Sequence, residues 1–243
     1  MSGPALAFLD SFSGAFDFIF NAREPVGERG VAVGGLDQVW EFMWTHIWIS
    51  ALALAIAIAI ALPIGVCFGH RGSGELLAVA IGNAGRAIPE LALIAIMVAF
   101  IGVGVLNTTI ALMILGIPPI LTNSFVGVRQ VDPGTVEAAR GMGMSELGIA
   151  ARVELPLAVP TIMSGVRTGA INIIATATIA PIAGVLTLGD FIISVNVYGD
   201  DGVLAGAILV ALLALAVELT LAGVQRALTP RGVQLQRDAA ATA

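Results

Sequence analysis

An unbroken apolar run near the start of the chain limits what the protein can be. Residues 45–69 read THIWISALALAIAIAIALPIGVCFG and contain no Asp, Glu, Lys or Arg. A helix needs about 20 apolar residues to cross the hydrocarbon layer of a bilayer, and this run is long enough. Only 12% of the whole chain is charged, against about 25% in soluble domains. The sequence therefore predicts an all-α integral membrane protein.

Further segments along the chain are also apolar enough to cross a membrane. The first of them is interrupted at GRAIPE, where Pro89 removes a backbone donor and should kink or break the helix. Another contains the pair Pro118-Pro119. The predicted spans after the first are residues 75–104, 107–126, 156–186 and 203–228. Five spans in total put the two termini on opposite sides of the membrane.

The arginines predict which terminus lies on which side, because cytoplasmic loops are enriched in Lys and Arg. One side would hold Arg71, Arg129, Arg140, Arg152, Arg226, Arg231 and Arg237, and the other only Arg23 and Arg29. This predicts that the N-terminus is outside and the C-terminus inside. Trp40, Trp44 and Trp48 recur on one helical face at the predicted outer end of the first span, as interfacial anchors do. A ligand-binding aromatic cage is the alternative.

Three regions follow from this reading. Residues 1–43 form an extracytoplasmic part, in which Phe8, Phe12 and Phe16 predict an amphipathic helix lying at the membrane surface or on a partner subunit. The Gly-rich, charged residues 23–35 are expected to be a flexible connector. Residues 44–228 form the transmembrane domain, with a cytoplasmic loop at 129–155, and residues 229–243 form a cytoplasmic tail.

The loop at 129–155 has a pattern that specifies structure. Asp132 followed by Pro133 is a typical helix start, and Gly141 with Gly143 should end that helix. Ser145 should cap a second helix, and Leu155-Pro156 should begin the fourth span. Ala138 and Ala139 would let another surface approach the first helix closely, while Met142 and Met144 offer adaptable apolar side chains. Such a helix suits docking in a groove of a partner; a helix that merely joins two spans is the alternative.

The same residues resemble the EAA signature of permease subunits of ATP-binding-cassette (ABC) importers. Glu137-Ala138-Ala139 is followed by Gly143, Val153 and Leu155-Pro156 at the spacing of that signature. The resemblance implies the type I importer permease (MetI-like) fold and makes the loop the coupling helix that sits in a cleft of an ATPase subunit. The residues it assigns to this docking helix are Glu137, Ala138, Ala139, Arg140, Met142, Gly143, Leu155 and Pro156.

Longer runs are similar to one branch of these permeases, which carries osmoprotectants such as glycine betaine, carnitine and choline. They are GIPPILTNSFVGVRQVDP, VEAARGMGM and VRTGAINIIATATIAPI. Two runs depart from that branch. RAIPEL resembles phosphonate-type permeases, and TLGD replaces a GGLG-like run, so the outer end of the fourth span is expected to differ in shape. An importer of another small solute, such as a phosphonate or an amino acid, therefore remains the alternative.

Polar residues inside the spans are candidates for the translocation path, namely Arg86, Glu90, Asn123, Asn172 and Thr176. Arg86 and Glu90 are four apart and are expected to pair, either as a structural ion pair or in transport. The Asn and Thr side chains are as suited to hydrogen bonds between helices. Thr176 and Thr178 share a face only if the helix is irregular there. Glu218 has no nearby cation in sequence, so a neighbouring subunit or a raised pKa would have to accommodate it.

The remaining expectations concern partners and chemistry. The family implies two ATPase subunits, a second permease subunit, identical or related, and an extracytoplasmic substrate-binding protein, all at the cytoplasmic (inner) membrane of a prokaryote. The chain has no Gly-rich nucleotide-binding loop, so we expect no cofactor on it and MgATP on the partner ATPase. An intramembrane enzyme is disfavoured, because His46 and His70 are expected near opposite membrane faces and no Cys or His has ligand spacing. The net charge of −6 disfavours nucleic acid. An ATP-independent carrier would not need the docking loop.

Overall fold

The computed structural model of the chain describes residues 4–26, 30 and 32–234. Helices make up nearly all of this part. In chain order they are α1 (Pro4–Phe20), α2 (Gly35–Arg71), α3 (Glu75–Ala87), α4 (Glu90–Ile101), α5 (Val105–Arg129), α6 (Pro133–Gly141), α7 (Glu146–Ile149), α8 (Leu155–Thr176), α9 (Gly189–Ile193) and α10 (Val195–Leu228). A π-helical turn, Ala150–Glu154, joins α7 to α8, and a 3-10 helix, Ala177–Ala183, follows α8. Two short strands, β1 (Ala22–Arg23) and β2 (Val33–Gly34), precede α2.

The described helices agree with the predicted number of spans. Four are long and apolar enough to cross a membrane, and α3 with α4 supplies a fifth crossing if that interrupted pair counts as one span. The interruption falls where it was predicted, because Ile88 and Pro89 both have extended backbone, with ψ of 119°. In contrast, α5 continues through Pro118-Pro119. Its neighbouring residues Ile120 and Leu121 are buried, so side-chain packing offsets the lost backbone hydrogen bonds.

The described chain divides into two compact units. The first comprises residues up to Ala53, Pro89–Leu112 and Ile173–Ala216. Its core contains an aromatic cluster of Phe18, Phe42, Phe191 and Tyr198. The Phe191 ring lies 5.2 Å from Phe18, 4.9 Å from Phe42 and 5.0 Å from Tyr198, measured between ring centroids. The pairs of Phe191 with Phe18 and with Tyr198 are edge-to-face, and such pairs stabilise a core beyond the area they bury.

Helix α1 reaches this cluster through Phe18, which lies outside the predicted stripe of Phe8, Phe12 and Phe16. Ala15 and Phe18 are fully buried, whereas Phe16 is 53% exposed. The side chain of Phe8 lies outside the described part of the chain. The four-residue Phe repeat identified a helix, but the buried stripe is decided by contacts with α9 and α10, which are far away in sequence.

The segment expected to be a flexible connector is held at its described positions. β1 and β2 pair antiparallel, with Ala22 opposite Gly34. Arg23 Nη1 donates to Asp201 Oδ2 at 2.8 Å, and the Val26 amide donates to the Val197 carbonyl at 3.0 Å. Gly and charge predict a loop in sequence but do not reveal partners in α10, so the composition alone could not predict these anchors.

The second unit comprises Leu54–Ile88, Met113–Asn172 and the residues from Val217 onward. Glycines bring its helices into close contact. A Cβ on Gly65 of α2 would lie 2.7 Å from the Leu121 carbonyl of α5, and one on Gly165 of α8 would lie 2.6 Å from the Pro119 carbonyl. Small residues are the usual means of packing membrane helices. The core between them contains Ala57, Ala61, Ala78, Ile120, Leu121, Phe125, Met163 and Val166.

Candidate functional site

Helix α6 is built as its sequence predicts. The side chain of Asp132 accepts a hydrogen bond from the Thr135 amide at 2.8 Å, and Pro133 occupies the first helical turn. The bonds from the backbone and hydroxyl of Thr135 lower the pKa of Asp132 below its ordinary value. The helix ends at Gly141, and Gly143 follows with φ of +83°. Glycine is favoured there because a Cβ disfavours that left-handed backbone.

The exposed surface of this loop is partly acidic and partly apolar. Glu137 and Ala138 are exposed, and Met142 and Leu147 are 76% and 81% exposed. Ala139, in contrast, is only 3% exposed. Both alanines were predicted to leave room for an approaching surface, but Ala139 packs inside the chain, so Ala138 alone of the two is on the free face. Large apolar side chains this exposed beside a structured helix are typical of a protein interaction site.

Helix α8 begins at Leu155, where Leu155-Pro156 was predicted to begin the fourth span, and the second loop helix continues into it without a break. Ser145 caps α7 by accepting from the Gly148 amide at 3.2 Å. The π-helical turn and α8 then follow in helical conformation. In a regular α-helix the ring of Pro156 would collide with the carbonyl four residues earlier, which belongs to Arg152. The wider π turn surrounds that carbonyl, so the helix passes the proline.

An exposed ion pair closes the two loop helices onto each other. Arg140 Nε and Nη2 donate to Glu146 Oε1 and Oε2 at 2.8 and 3.0 Å. This two-point geometry fixes the direction of both side chains. Arg140 of the EAA-like segment therefore points back toward α7. A cavity of about 380 Å³ is lined by residues of α7 and its two ends, namely Met144, Ser145, Leu147, Gly148, Ala151 and Arg152.

The predicted path residues are found in different environments. The side chain of Arg86 lies outside the described part of the chain, so its pairing with Glu90 is untested. The break at Ile88 and Pro89 nevertheless means that no single regular helix carries both residues. Glu90 is exposed in the first turn of α4. The sequence spacing of four was the basis for the pair, and the extended backbone between the residues removes that basis.

Asn123, Asn172 and Thr176 differ from one another in burial. Asn123 donates to the Pro119 carbonyl of its own helix at 2.8 Å. Asn172 is exposed. Thr176 is 1% exposed and its hydroxyl has no hydrogen-bond partner among the described residues. Just beyond Thr176 the helix changes to 3-10 geometry, which is the irregularity on which a shared face with Thr178 depended.

The TLGD run shapes the end of this 3-10 segment. The Thr187 hydroxyl donates to the Ala177 carbonyl at 2.7 Å, which ties the run back to the beginning of the 3-10 helix. The Gly189 amide contacts the same hydroxyl at 3.3 Å. Gly189 also lies against the backbone of Thr178, where a side chain would not fit. The departure from a GGLG-like run thus supplies a hydroxyl where that run has glycine.

Two polar groups inside the spans were missed by sequence reasoning. Glu218 of α10 is paired with Arg167 of α8 in the same chain, so the cation that its local sequence lacks comes from another span. Arg167 Nη1 also donates to Gln225 Oε1 at 2.8 Å. The orientation argument counted only loop arginines, and the two partners are 51 residues apart, so the only available signal was an Arg within the fourth span.

His46 is the second missed group. It is fully buried in α2, and its Nε2 lies 3.0 Å from the Ile174 carbonyl. Its Nδ1 has no hydrogen-bond partner among the described residues. The contact joins α2 to the last turn of α8, directly before the change to 3-10 geometry.

Comparison with known proteins identifies the class. Residues 57–232 match the family model described as binding-protein-dependent transport system inner membrane component. The chain is 39% identical to the carnitine transport permease protein OpuCB of Listeria monocytogenes, over 80% of this chain and 90% of that protein. It is 36% identical to the choline transport system permease protein OpuBB of Bacillus subtilis (strain 168), over 78% of this chain and 88% of that protein.

The solved structures agree with this result at the level of the fold. The chain superimposes on a membrane chain from the inward-facing MetNI methionine ABC transporter with a TM-score of 0.70 and 20% identity, covering 80% of this chain and 98% of that one. The protein belongs to the family of inner membrane components of binding-protein-dependent transport systems. It is a multi-pass inner membrane transport component, which confirms the predicted family and fold.

Proposed function

We propose that the chain is the membrane-spanning subunit of an ATP-driven importer of compatible solutes such as glycine betaine, carnitine or choline. The observation that carries the solute class is the similarity to carnitine and choline permeases over about four fifths of this chain. The observation that supports an ATP-driven mechanism is the capped helix α6 with exposed Glu137, Ala138 and Met142 beside it.

The mechanism requires a partner that hydrolyses ATP. In this proposal two ATPase subunits hold MgATP, and one receives α6 in a cleft formed by its surface. Closure of the ATPase pair moves α6 and the spans attached to it, which opens the outer face of the transporter. The N-terminus is then outside and the loop inside, as the arginine distribution predicts. A second permease subunit, identical or related, completes the pathway.

Recognition of the solute is proposed to lie mainly in a separate extracytoplasmic binding protein. Quaternary ammonium groups are recognised by open cages of aromatic rings. The aromatic cluster of the first unit does not offer such a cage, because Phe18 and Phe191 are fully buried and Tyr198 is 5% exposed. Its rings pack against each other at 4.9–6.0 Å, so they stabilise the fold.

The runner-up is an importer of the same kind for another small solute. The RAIPEL run, which resembles phosphonate-type permeases, is the feature that favours it. Uptake of labelled glycine betaine by cells lacking other betaine systems separates the two, with unlabelled carnitine, choline and a phosphonate as competitors. Competition by carnitine and choline supports the osmoprotectant importer, whereas uptake of a labelled phosphonate without betaine uptake refutes it.

The docking role of α6 is tested in the same assay at Gly143. A Cβ there meets no atom within 4 Å, but φ is +83°, so any side chain strains the backbone. Gly143→Asn is therefore the matched control for Gly143→Asp, because Asn has the same size and tolerates this backbone conformation. We expect the Asp variant to lose uptake while the Asn variant keeps most of it. Equal uptake by both variants and the unchanged chain contradicts the docking role.

A further inference from the structure

Four side chains, namely an arginine, two carboxylates and an imidazole, connect the end of α2 to the loop that contains α6. Arg140 of α6 binds Glu146 of α7 at 2.8 and 3.0 Å. His70 Nε2, in the last turn of α2, lies 3.3 Å from Glu146 Oε2. His70 Nδ1 lies 2.6 Å from Glu154 Oε2 in the π-helical turn. The contacts thus connect Arg140 to Glu146, Glu146 to His70, and His70 to Glu154.

The chemistry of the imidazole fits a charged link. Carboxylates accept hydrogen bonds and do not donate them, and a neutral imidazole has only one N–H. Both ring nitrogens of His70 face carboxylate oxygens, so only the imidazolium form donates to Glu146 and Glu154 together. In that form the four groups carry two positive and two negative charges. Charge-assisted bonds of this kind are the strongest hydrogen bonds in proteins.

Burial shows where this link is anchored. Glu154 is 5% exposed and the His70 side chain is 16% exposed, whereas those of Arg140 and Glu146 are more than half exposed. A buried carboxylate without a cation is strongly unfavourable, so Glu154 holds His70 in place. The exposed end of the link is the end that belongs to α6.

The surrounding backbone keeps the anchored end from sliding. Gly69 precedes His70 and lies against α5, where an added Cβ would be 2.8 Å from the Phe125 carbonyl and 2.8 Å from Val128 Cβ. On the other side, Glu154 belongs to the π turn, a distortion often found at functional sites. The end of the link at His70 therefore has little room to shift against α5.

We propose that His70 is a positioning residue that transmits movement of the α6–α7 hairpin to α2, and so to the first span. This inference rests on the proposed function, because it requires α6 to move with a partner ATPase. Coupling through packed and hydrogen-bonded side chains has a physical basis when both ends belong to stiff elements, which α2 and the α7–α8 helix provide. Nothing in the EAA-like pattern itself includes His70.

The test uses the complete importer, with its ATPase and binding protein, reconstituted in proteoliposomes. The measured quantity is labelled glycine betaine taken up per ATP hydrolysed, together with the amount of ATPase that co-purifies. His70→Gln removes the charge, His70→Arg keeps it with several donors, and Arg71→Gln removes a neighbouring exposed charge from the same helix end as the matched control. Carnitine and choline are measured in parallel.

We expect uptake per ATP to fall about fivefold or more in His70→Gln, the range of typical coupling energies. His70→Arg and Arg71→Gln should stay within about twofold of the unchanged chain on the same scale. The double variant His70→Gln/Glu154→Gln leaves no unpaired buried carboxylate, so it should fold and bind the ATPase while remaining uncoupled. That result separates transmission from folding.

Three results overturn the inference. The first is an unchanged uptake per ATP in His70→Gln, and the second is an unchanged uptake per ATP in the double variant. The third is a loss in Arg71→Gln as large as the loss in His70→Gln. Failure of the proposed function is recognised elsewhere, because the unchanged chain would then show no ATP-dependent uptake of any of the three solutes. If only the proposed role of His70 is wrong, the unchanged chain still shows that ATP-dependent uptake.

Discussion

The ion pair between Arg167 and Glu218 offers the sharpest test of how the spans are held together. Arg167 makes two contacts, one with Glu218 and one with Gln225. Gln225 in turn donates to the Pro160 carbonyl at 3.2 Å. The side chains of Arg167 and Glu218 are 30% and 27% exposed, and one oxygen of Glu218 is already without a partner. Arg167→Leu therefore leaves a carboxylate inside a span with no cation.

The expected magnitude follows from these contacts. Breaking a buried pair by removing one partner costs about 3–5 kcal/mol, and the partial exposure of both groups places the expected value near the lower end. We therefore expect Arg167→Leu to lower the free energy of unfolding by about 3 kcal/mol. The double variant Arg167→Leu/Glu218→Leu removes both charges, so it should lie within about 1 kcal/mol of the unchanged chain, because apolar replacements of such pairs are often neutral.

The assay is reversible denaturation in detergent micelles, followed by the helical circular dichroism signal. The two single variants and the double variant form a cycle. From it we expect an interaction energy of at least about 2 kcal/mol, since any loss in Glu218→Leu adds to the loss in Arg167→Leu. Arg226→Leu is the control, since that exposed arginine lies in the last turn of α10. An Arg167→Leu variant as stable as the unchanged chain, or an interaction energy of zero, refutes the reasoning.

Three further outcomes are expected. Phe18→Ala should cost about 3–5 kcal/mol in thermal unfolding, whereas Phe16→Ala, at a 53% exposed position, should cost far less; equal losses would contradict the assigned buried face of α1. Gly165→Val should lower the melting temperature strongly, because its Cβ would lie 2.6 Å from a carbonyl of α5. In contrast, the Cβ of Gly223→Ala meets no atom within 4 Å, so that variant should gain about 0.4–1 kcal/mol in the free energy of unfolding. A Gly165→Val variant as stable as the unchanged chain would contradict this packing. Asp132 has a lowered pKa, so its capping of α6 is fully present above its ordinary pKa and is lost as pH falls through the lower folded value. Hydrogen exchange of the α6 amides should therefore become faster in that acid range, and also in Asp132→Ala at neutral pH. Unchanged exchange under both conditions would show that the cap is dispensable.

The predicted and observed loop structures agree where the signals are local. Asp132 and Ser145 cap their helices as their positions before Pro133 and Glu146 predict. Helix caps depend on residues within one turn, so sequence alone is sufficient for them. The continuation of α7 into α8 is different. It depends on the π turn around Arg152, and the sequence contains no pattern that predicts a continuous helix through Pro156.

Contacts between distant segments were predicted less well. Glu218 appeared unpaired because its partner Arg167 lies on another span, and Phe18 did not appear in the Phe repeat that predicted α1. The link from His70 to Glu154 joins positions 84 residues apart. Each of these contacts depends on which helix faces lie together, and helical periodicity gives a face without naming its neighbour.

The sequence by itself determined the membrane class, the spans, the family and the capped loop helix, because all of these depend on apolar length, local capping or a contiguous motif. The tertiary structure alone decided which charges are neutralised inside the spans, which face of α1 is buried and which residues connect α2 to the loop. The physical reason is that a buried charge or ring is stabilised by the atoms around it, and most of those atoms come from other parts of the chain.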